Sequence, residues 1–434
     1  MRLPVPDLLL FTSMALLTAG VAAAAPHRDA CHLDASDIAH AAPHAERGCV
    51  ERWMDAHLRV NDLLTVGTHN SYKRAIPPAD YRLIAATNPK GAQELDYAHK
   101  SLTAQLDFGA REIEIDVVYD PQGSRYAHPL IAARTQTPLD PAWERAMQQP
   151  GFKVQHVPDV DFRSSCITFK ACLGIVRDWS RAHPRHAPIT ILINAKDGKT
   201  IPGGTPLLAF DEAAFDALDA EVRSVLSPAH LLTPDDVQGH YATLREAVLH
   251  NNWPRLGAAR GRILFALDET PDKVALYRGH RASLEGRVMF INTDEQSPAA
   301  AYLTLNRPVE DAERIARDVK AGFLVRTRAD EGTWQARANN TAHRDIALHS
   351  GAQSVSTDYL WADPRFPGDF TVSLPHHAAS LCNPMRTATR CRSLPVEVAG
   401  KADQAAAQSA PIAWPARRDP TPDRTTLPPV EAKP

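Results

Sequence analysis

Short apolar runs of β-branched and aliphatic residues recur along the chain, each closing on a polar or charged cluster. They fall at Leu63–Thr68, Glu112–Val118, Phe152–His156, Ile189–Asn194, Arg262–Asp268, Arg287–Thr293, Gly322–Thr327 and Gln353–Asp358. Runs of this length and composition predict buried β-strands. Helical periodicity appears between several of them. Phe210, Ala214, Ala217, Leu218, Val222 and Val225 share one helical face, and so do Val309, Ala312, Ile315, Ala316 and Val319. A further helix over 338–350 is expected to stop at Gly351. Strands alternating with helices imply a parallel sheet. Eight such units, with polar residues at the strand ends, favour an α/β fold of the TIM-type (β/α) barrel class, distortion allowed. No Gly-rich phosphate loop follows any strand, which weighs against an open nucleotide-binding sheet.

The two ends differ from this pattern. A basic start, an apolar stretch over Leu8–Val21 and small residues at Ala22–Ala25 read as a signal peptide over 1–25. The stretch is too short for a membrane span, which needs about 20 apolar residues. Residues 26–57 are Ala- and His-rich and read as irregular. The catalytic barrel is expected over 58–365 and a C-terminal extension over 366–394. An Ala/Pro-rich tail over 395–434 is expected to be disordered. Six cysteines lie in three local pairs, Cys31 with Cys49, Cys166 with Cys172 and Cys382 with Cys391. Local pairing is the simplest arrangement, and it suits an oxidising compartment, so the chain reads as secreted or periplasmic. A net charge of -3 gives no basic field for nucleic acid. Nothing in the sequence points to a protein partner.

The chemistry concentrates at strand ends. In Glu112-Ile113-Glu114-Ile115-Asp116, alternation puts three carboxylates on one face of a strand. In a barrel that face looks into the lumen, and a hard divalent cation with oxygen ligands relieves the repulsion; Ca2+ fits best and Mg2+ second. Glu112, deepest in the strand, has a buried arginine as its other option. His69, in Gly67-Thr68-His69-Asn70-Ser71-Tyr72, and His156, in Gln155-His156-Val157-Pro158-Asp159-Val160-Asp161, each follow a strand. Two histidines converging there form an acid–base pair around a charged substrate. Lys196 shares a face with Asn194, and Arg326 with Arg328, and guanidinium groups suit phosphate oxygens. Their other reading is pairing with Asp268, Asp358 or the acidic strand.

With these residues on the page, the chain resembles the phosphatidylinositol-specific phospholipase C superfamily, in its calcium-dependent bacterial branch. The resemblance rests on Thr68-His69-Asn70-Ser71-Tyr72, Glu114-Ile115-Asp116, His156 with Asp159 and Asp161, Val325-Arg326-Thr327-Arg328-Ala329-Asp330, and Ser350–Gln353 with Ser356–Tyr359, over about residues 58–362. It implies a β/α barrel with His69 and His156 as the catalytic pair, His156 being the better acid candidate. It also implies calcium held by Asn70, Glu114 and Asp116, and a phospholipid substrate at a membrane surface. One departure stands out: relatives usually place a glutamate on the fourth strand, as a further metal ligand or base, where this chain has Asn194, a residue able to ligate through its carbonyl but not to act as a base. Two alternatives stay open. Glycerophosphodiester hydrolysis on the same barrel is one, although that family's arginine after the first histidine and its Pro-Glu-Asn-Thr segment are missing. The other is a secreted, non-catalytic inositol-phosphate-binding protein.

Overall fold

The computed structural model describes Ile38, residues 47–391 and 394–410, and Ile412. The leader over 1–25, Cys31 and the end of the tail lie outside the described residues. Among the described residues eleven strands run in chain order: β1 Leu63–Thr68, β2 Glu112–Val118, β3 Lys153–Val154, β4 Ile189–Ala195, β5 Ile263–Leu267, β6 Met289–Ile291, β7 Tyr302–Thr304, β8 Leu324–Arg328, β9 Ser354–Thr357, β10 Ala378–Cys382 and β11 Pro395–Val398.

Eight of them form one parallel sheet in the order β6-β5-β4-β2-β1-β9-β8-β7. The two outer strands, β6 and β7, meet through a parallel bridge between Asn292 and Tyr302. The Asn292 side-chain oxygen also accepts the Thr304 amide at 3.0 Å. The result is a nearly closed eight-stranded β/α barrel, as expected. Its membership differs at one place. The run at Phe152–His156 supplies only the two-residue β3, which lies antiparallel on the end of β2. The eighth barrel strand is β7, too short at three residues to stand out by pattern.

Strands covered on both faces should be apolar throughout. Here β2, β4 and β5 obey this outward: Ile113, Ile115, Val117, Ile189, Ile191, Ile193, Ile263, Phe265 and Leu267 are all buried against the helical layer. The helix Glu212–Val225 shows how that layer is specified. Asp211 caps it by accepting the Ala214 amide at 2.8 Å, and Phe215, Leu218 and Val222 form its buried stripe. The helix Ala312–Ala321 buries Ile315 and Val319 and stops at Gly322, whose φ of 111° a side chain would resist. The helix expected over 338–350 is two pieces, Trp334–Ala338 and Ala342–His349, parted by Asn339 at φ 50°.

The termini are more ordered than their composition suggests. A helix, Arg47–His57, occupies the end of the N-terminal stretch read as irregular. On the C-terminal side, β10 pairs antiparallel with β1 through Leu63–Cys382, Leu64–Leu381 and Thr65–Ser380, and β11 pairs with β10. The helix Lys401–Ser409 follows, so the tail expected to be disordered from 395 is structured to at least 410. Composition misled because Ala-rich sequence forms helix readily once packing holds it. Disulfides Cys166–Cys172 and Cys382–Cys391 form as expected.

Strand β11 is tied down by a largely buried pair. Arg111 and Glu397 meet in two nitrogen–oxygen contacts, Nε to Oε2 at 2.9 Å and NH2 to Oε1, and Glu397 also accepts the Ala187 amide at 2.7 Å. Burial pushes the Glu397 pKa up, but Arg111 more than offsets it and the net shift is downward. A lowered folded-state pKa adds stability above the unfolded value, about 4.3, and loses it as pH falls through the folded value. Glu397→Gln should therefore cost roughly 3 kcal/mol near neutral pH, with the deficit shrinking once pH drops below about 4. Thermal melts of both proteins at several pH values check this, and a deficit independent of pH would contradict it.

Candidate active site

Register decides which side chains share the barrel lumen. Glu112, Glu114 and Asp116 pair with Thr190, Leu192 and Asn194. Thr190 and Leu192 pair with Leu264 and Ala266, while Arg326 and Arg328 pair with Ser354 and Ser356. Because facing residues in a ladder point the same way, these side chains and Thr65 and Gly67 of β1 look inward together. The cavity lined by Thr65, Thr190, Leu264, Tyr302, Leu324 and Ser354 lies at the amino-terminal end of that interior. The charged members sit toward the carboxyl end, where β/α barrels build their sites.

The three carboxylates of β2 are accommodated in three ways. Arg326 reaches across the lumen from β8 and donates from NH2 to Glu114 Oε2 at 2.6 Å. Lys196 Nζ lies 3.1 Å from Asp116 Oδ2. Burial lowers the Lys196 pKa, but Asp116 and then Glu114 outweigh it and keep the ammonium charged. Glu112 is fully buried with both oxygens lacking a hydrogen-bond partner, and Arg326 Nε is 3.9 Å away. Burial raises Glu112 to about 8 against the pull of Arg326, which leaves it largely neutral near pH 7. The option of an arginine for Glu112 is thus met in part, and Arg326 serves mainly Glu114.

His69 and His156 are built alike. His69 Nδ1 is 2.9 Å from Asp358 Oδ1, and His156 Nδ1 is 2.9 Å from Asp161 Oδ2. Both aspartates are buried and both rings keep about 20% of their side-chain surface exposed. With Nδ1 of each ring directed at a carboxylate, Nε2 is the atom that each presents to the site. The rings stand 6.5 Å apart, edge to face, and His69 Nε2 lies 3.7 Å from Glu114 Oε1. Burial first, then Arg328, holds the His69 pKa well below its ordinary value, so the ring is neutral at pH 7.

Local sequence explains these positions. Gly67 is required where β1 crosses Glu112, since a Cβ there would fall 2.2 Å from the Glu112 carbonyl oxygen. His69 follows two residues later, and Asn70 turns the chain at φ 47°, a conformation asparagine tolerates better than most residues. The segment after β3 doubles back on itself through a bridge between Val157 and Asp161, with Asp159 at φ 70°. That turn is what returns Asp161 to His156. Lys73 Nζ donates to the other Asp161 oxygen at 2.9 Å, joining the loop after β1 to this turn.

The structure brings His69, His156, Glu114, Asp116, Asn194, Lys196, Arg326 and Arg328 to one end of the barrel. Several are engaged differently from the simplest expectation. Asn194 donates from Nδ2 to Glu114 Oε1 at 2.8 Å, so ligation through its carbonyl oxygen needs the amide to turn over. Arg326 is 1% exposed and bound to Glu114, Ser356 and Asn306, and Arg328 donates to Asp358 at 3.0 Å. Their ion-pair reading therefore accounts for most of their contacts, whereas Lys196 keeps a third of its side chain exposed. Tyr97 and His99 carried no sequence signal, lying in an irregular loop. Tyr97 Oη accepts from Asn70 Nδ2 at 2.8 Å and lies 3.2 Å from His69 Nδ1; the His99 ring bonds the His69 carbonyl at 2.8 Å.

Metal fit can be judged from oxygen atoms. Asn70 Oδ1 and Asp116 Oδ1 are buried without a hydrogen-bond donor, and Asp116 Oδ2 has the Lys196 ammonium 3.1 Å away. With Asn70 Nδ2 held by Tyr97, its carbonyl oxygen is the free end. An all-oxygen set of Asn70, Glu114 and Asp116, with Asn194 beside Glu114, suits a hard cation such as calcium.

The sequence model of a family described as phosphoinositide phospholipase C, Ca2+-dependent, matches residues 58–384. Among solved structures the chain is similar to the calcium-dependent phosphoinositol-specific phospholipase C of a Gram-negative Pseudomonas sp. in its apo form, at 16% identity and TM-score 0.44, covering 70% of this chain and 92% of that one. It is also similar to the Ca2+-dependent phosphatidylinositol-specific phospholipase C of Streptomyces antibioticus, at 19% identity and TM-score 0.43, covering 69% and 94%. Comparison with curated proteins gives no significant match. By the extent of the family match, the chain is a phosphoric diester hydrolase of the phospholipase C class. It belongs to the Ca2+-dependent phosphoinositide phospholipase C family.

The Arg326–Glu114 pair is the structural test of this site. Arg326→Met leaves a carboxylate buried among like charges, at a cost of about 3–5 kcal/mol. Urea unfolding should show that loss, and Arg326→Met combined with Glu114→Gln should recover part of it. No recovery in the double variant would mean the pair is not the source.

Proposed function

We propose that this enzyme cleaves phosphatidylinositol-type lipids at a membrane surface, releasing diacylglycerol and a cyclic inositol phosphate, which it then opens with water. The observation that carries the reading is the pair of imidazoles, each aimed by its own buried aspartate, facing each other beside Glu114. Family membership supports the substrate class.

Asn70, Glu114 and Asp116, with Asn194 if its amide turns, would hold the calcium ion. When bound, it supplies Lewis-acid chemistry, lowering the pKa of the attacking inositol hydroxyl and offsetting charge on phosphorus. The chain's own part is proton handling. His156, fixed by Asp161, protonates the leaving alcohol oxygen from Nε2. His69, neutral and fixed by Asp358, takes the proton of the attacking hydroxyl at Nε2, while the proton that leaves with the alcohol comes from His156 in its doubly protonated form. In the second half the same rings run the transfers in reverse, with water in place of the hydroxyl. Lys196 offers its ammonium to a phosphate oxygen, with Arg328 behind His69 adding positive field. Disulfides Cys166–Cys172 and Cys382–Cys391 support an oxidising destination, secreted or periplasmic.

His69→Ala and His156→Ala should each lower turnover of phosphatidylinositol in mixed micelles by about 100-fold or more with folding intact. Wild-type rates in either variant would remove that ring from the chemistry. Chelation of divalent cations should abolish turnover, calcium should restore it, and magnesium should restore less. Activity that survives chelation would take calcium out of the reaction. Cleavage of glycerophosphocholine in preference to phosphatidylinositol would favour glycerophosphodiester hydrolysis, and binding of inositol phosphates without any turnover would favour a non-catalytic role.

A further inference from the structure

At the opposite end of the barrel, Asp107, His183 and Asp403 each bring one ligand-type atom to a common point, all within 4.8 Å of one another. Asp107 ends the helix Leu102–Phe108 that leads into β2, and His183 caps the helix Phe169–Ala182 that leads into β4. Both therefore sit at the amino-terminal ends of parallel strands, away from His69 and His156. Asp403 comes from the first turn of the C-terminal helix Lys401–Ser409.

We infer that Asp107, His183 and Asp403 form a second metal site, for a divalent transition ion of the zinc type, that fastens the C-terminal helix to the barrel. The first argument is preorganisation from a residue outside the ligand set. Trp179 orients both barrel-side ligands: its indole N–H donates to Asp107 Oδ1 at 2.6 Å, and its carbonyl oxygen accepts from His183 Nδ1 at 2.8 Å. The two rings stack at 4.1 Å and 16°. A histidine whose Nδ1–H is taken by a main-chain carbonyl presents a bare Nε2, the arrangement that metal-bound histidines share. The second argument is the gap. His183 Nε2 and Asp403 Oδ2 are 3.8 Å apart, too far for a hydrogen bond. A tetrahedral ion with bonds of about 2.1 Å needs ligands about 3.4 Å apart, so a few tenths of an ångström closes this pair, and side-chain movement within the 4.8 Å that spans all three brings in Asp107. One imidazole with two carboxylates suits zinc rather than calcium, which takes six to eight oxygens. Three protein ligands leave a fourth position for water.

The place gives the ion a task. The far end of the same helix is already held, since Lys100 Nζ donates to the carbonyls of Ala407 and Gln408, each at 2.8 Å. Asp403 is the corresponding anchor at its beginning.

The test uses the full chain, stripped of metal and returned to buffer with excess calcium so that the active site is not counted. Zinc is titrated in competition with a chromogenic indicator into wild type, His183→Ala and Asp403→Asn. Wild type should take up one more zinc ion than either variant, and zinc should slow proteolysis around residues 399–412 in wild type alone. Asp403 is partly exposed, so its variant keeps the test open if His183→Ala fails to fold. Equal zinc uptake in wild type and Asp403→Asn, or zinc protection that persists in that variant, would overturn the inference.

Discussion

A strand that turns three carboxylates into a barrel lumen cannot fold unless their charge is answered from inside the barrel. Glu112 is answered by protonation, Glu114 by a guanidinium from β8 and Asp116 by the ammonium of Lys196, just past the end of β4. Everything at the mouth depends on that settlement. It is strong enough to keep β2 in register, yet leaves Asp116 and Asn70 with oxygen atoms that no protein donor fills. The cost of burying Arg326 and Glu114 is offset by the further hydrogen bonds that the guanidinium donates to Asn306 and Ser356.

The two histidines then inherit their geometry from backbone features rather than from helices or strands of their own. Gly67 lets β1 pass close to β2, which sets where His69 emerges. The doubled-back turn after β3 plays the same part for His156, and Lys73 ties the two loops together through Asp161. Function here rests on irregular segments clamped by buried ion pairs, with the regular barrel serving as their frame.

Much of this was legible from the sequence. The acidic alternation of β2 and the strand-end positions of His69 and His156 needed only period-two reading, and the barrel class followed from alternation of strands and helices. What failed did so for local reasons. Tyr302–Thr304 is too short to register as a run, while Phe152–His156 registered but pairs antiparallel at an edge. The Ala-rich residues 401–409 looked unstructured because their stability comes from packing and from Lys100, which no local pattern reveals. Arg326 was readable as a cation near the site, but its commitment to Glu114 depends on which strands face each other across a closed barrel. Tyr97 and His99 belong to a loop with no periodicity, so only the fold brings them to His69 and Asn70.

The pairing of β10 with β1 has a bearing on how the chain comes together. The first barrel strand takes part of its edge from residues 378–382, more than three hundred positions away along the chain. A nascent chain therefore carries an open, apolar strand edge until residues 378–382 have been made, and this pairing forms only when a very long loop closes. Synthesis order and folding order are thus opposed, and the interval before the last segment arrives is the period of greatest exposure to mispairing with another molecule.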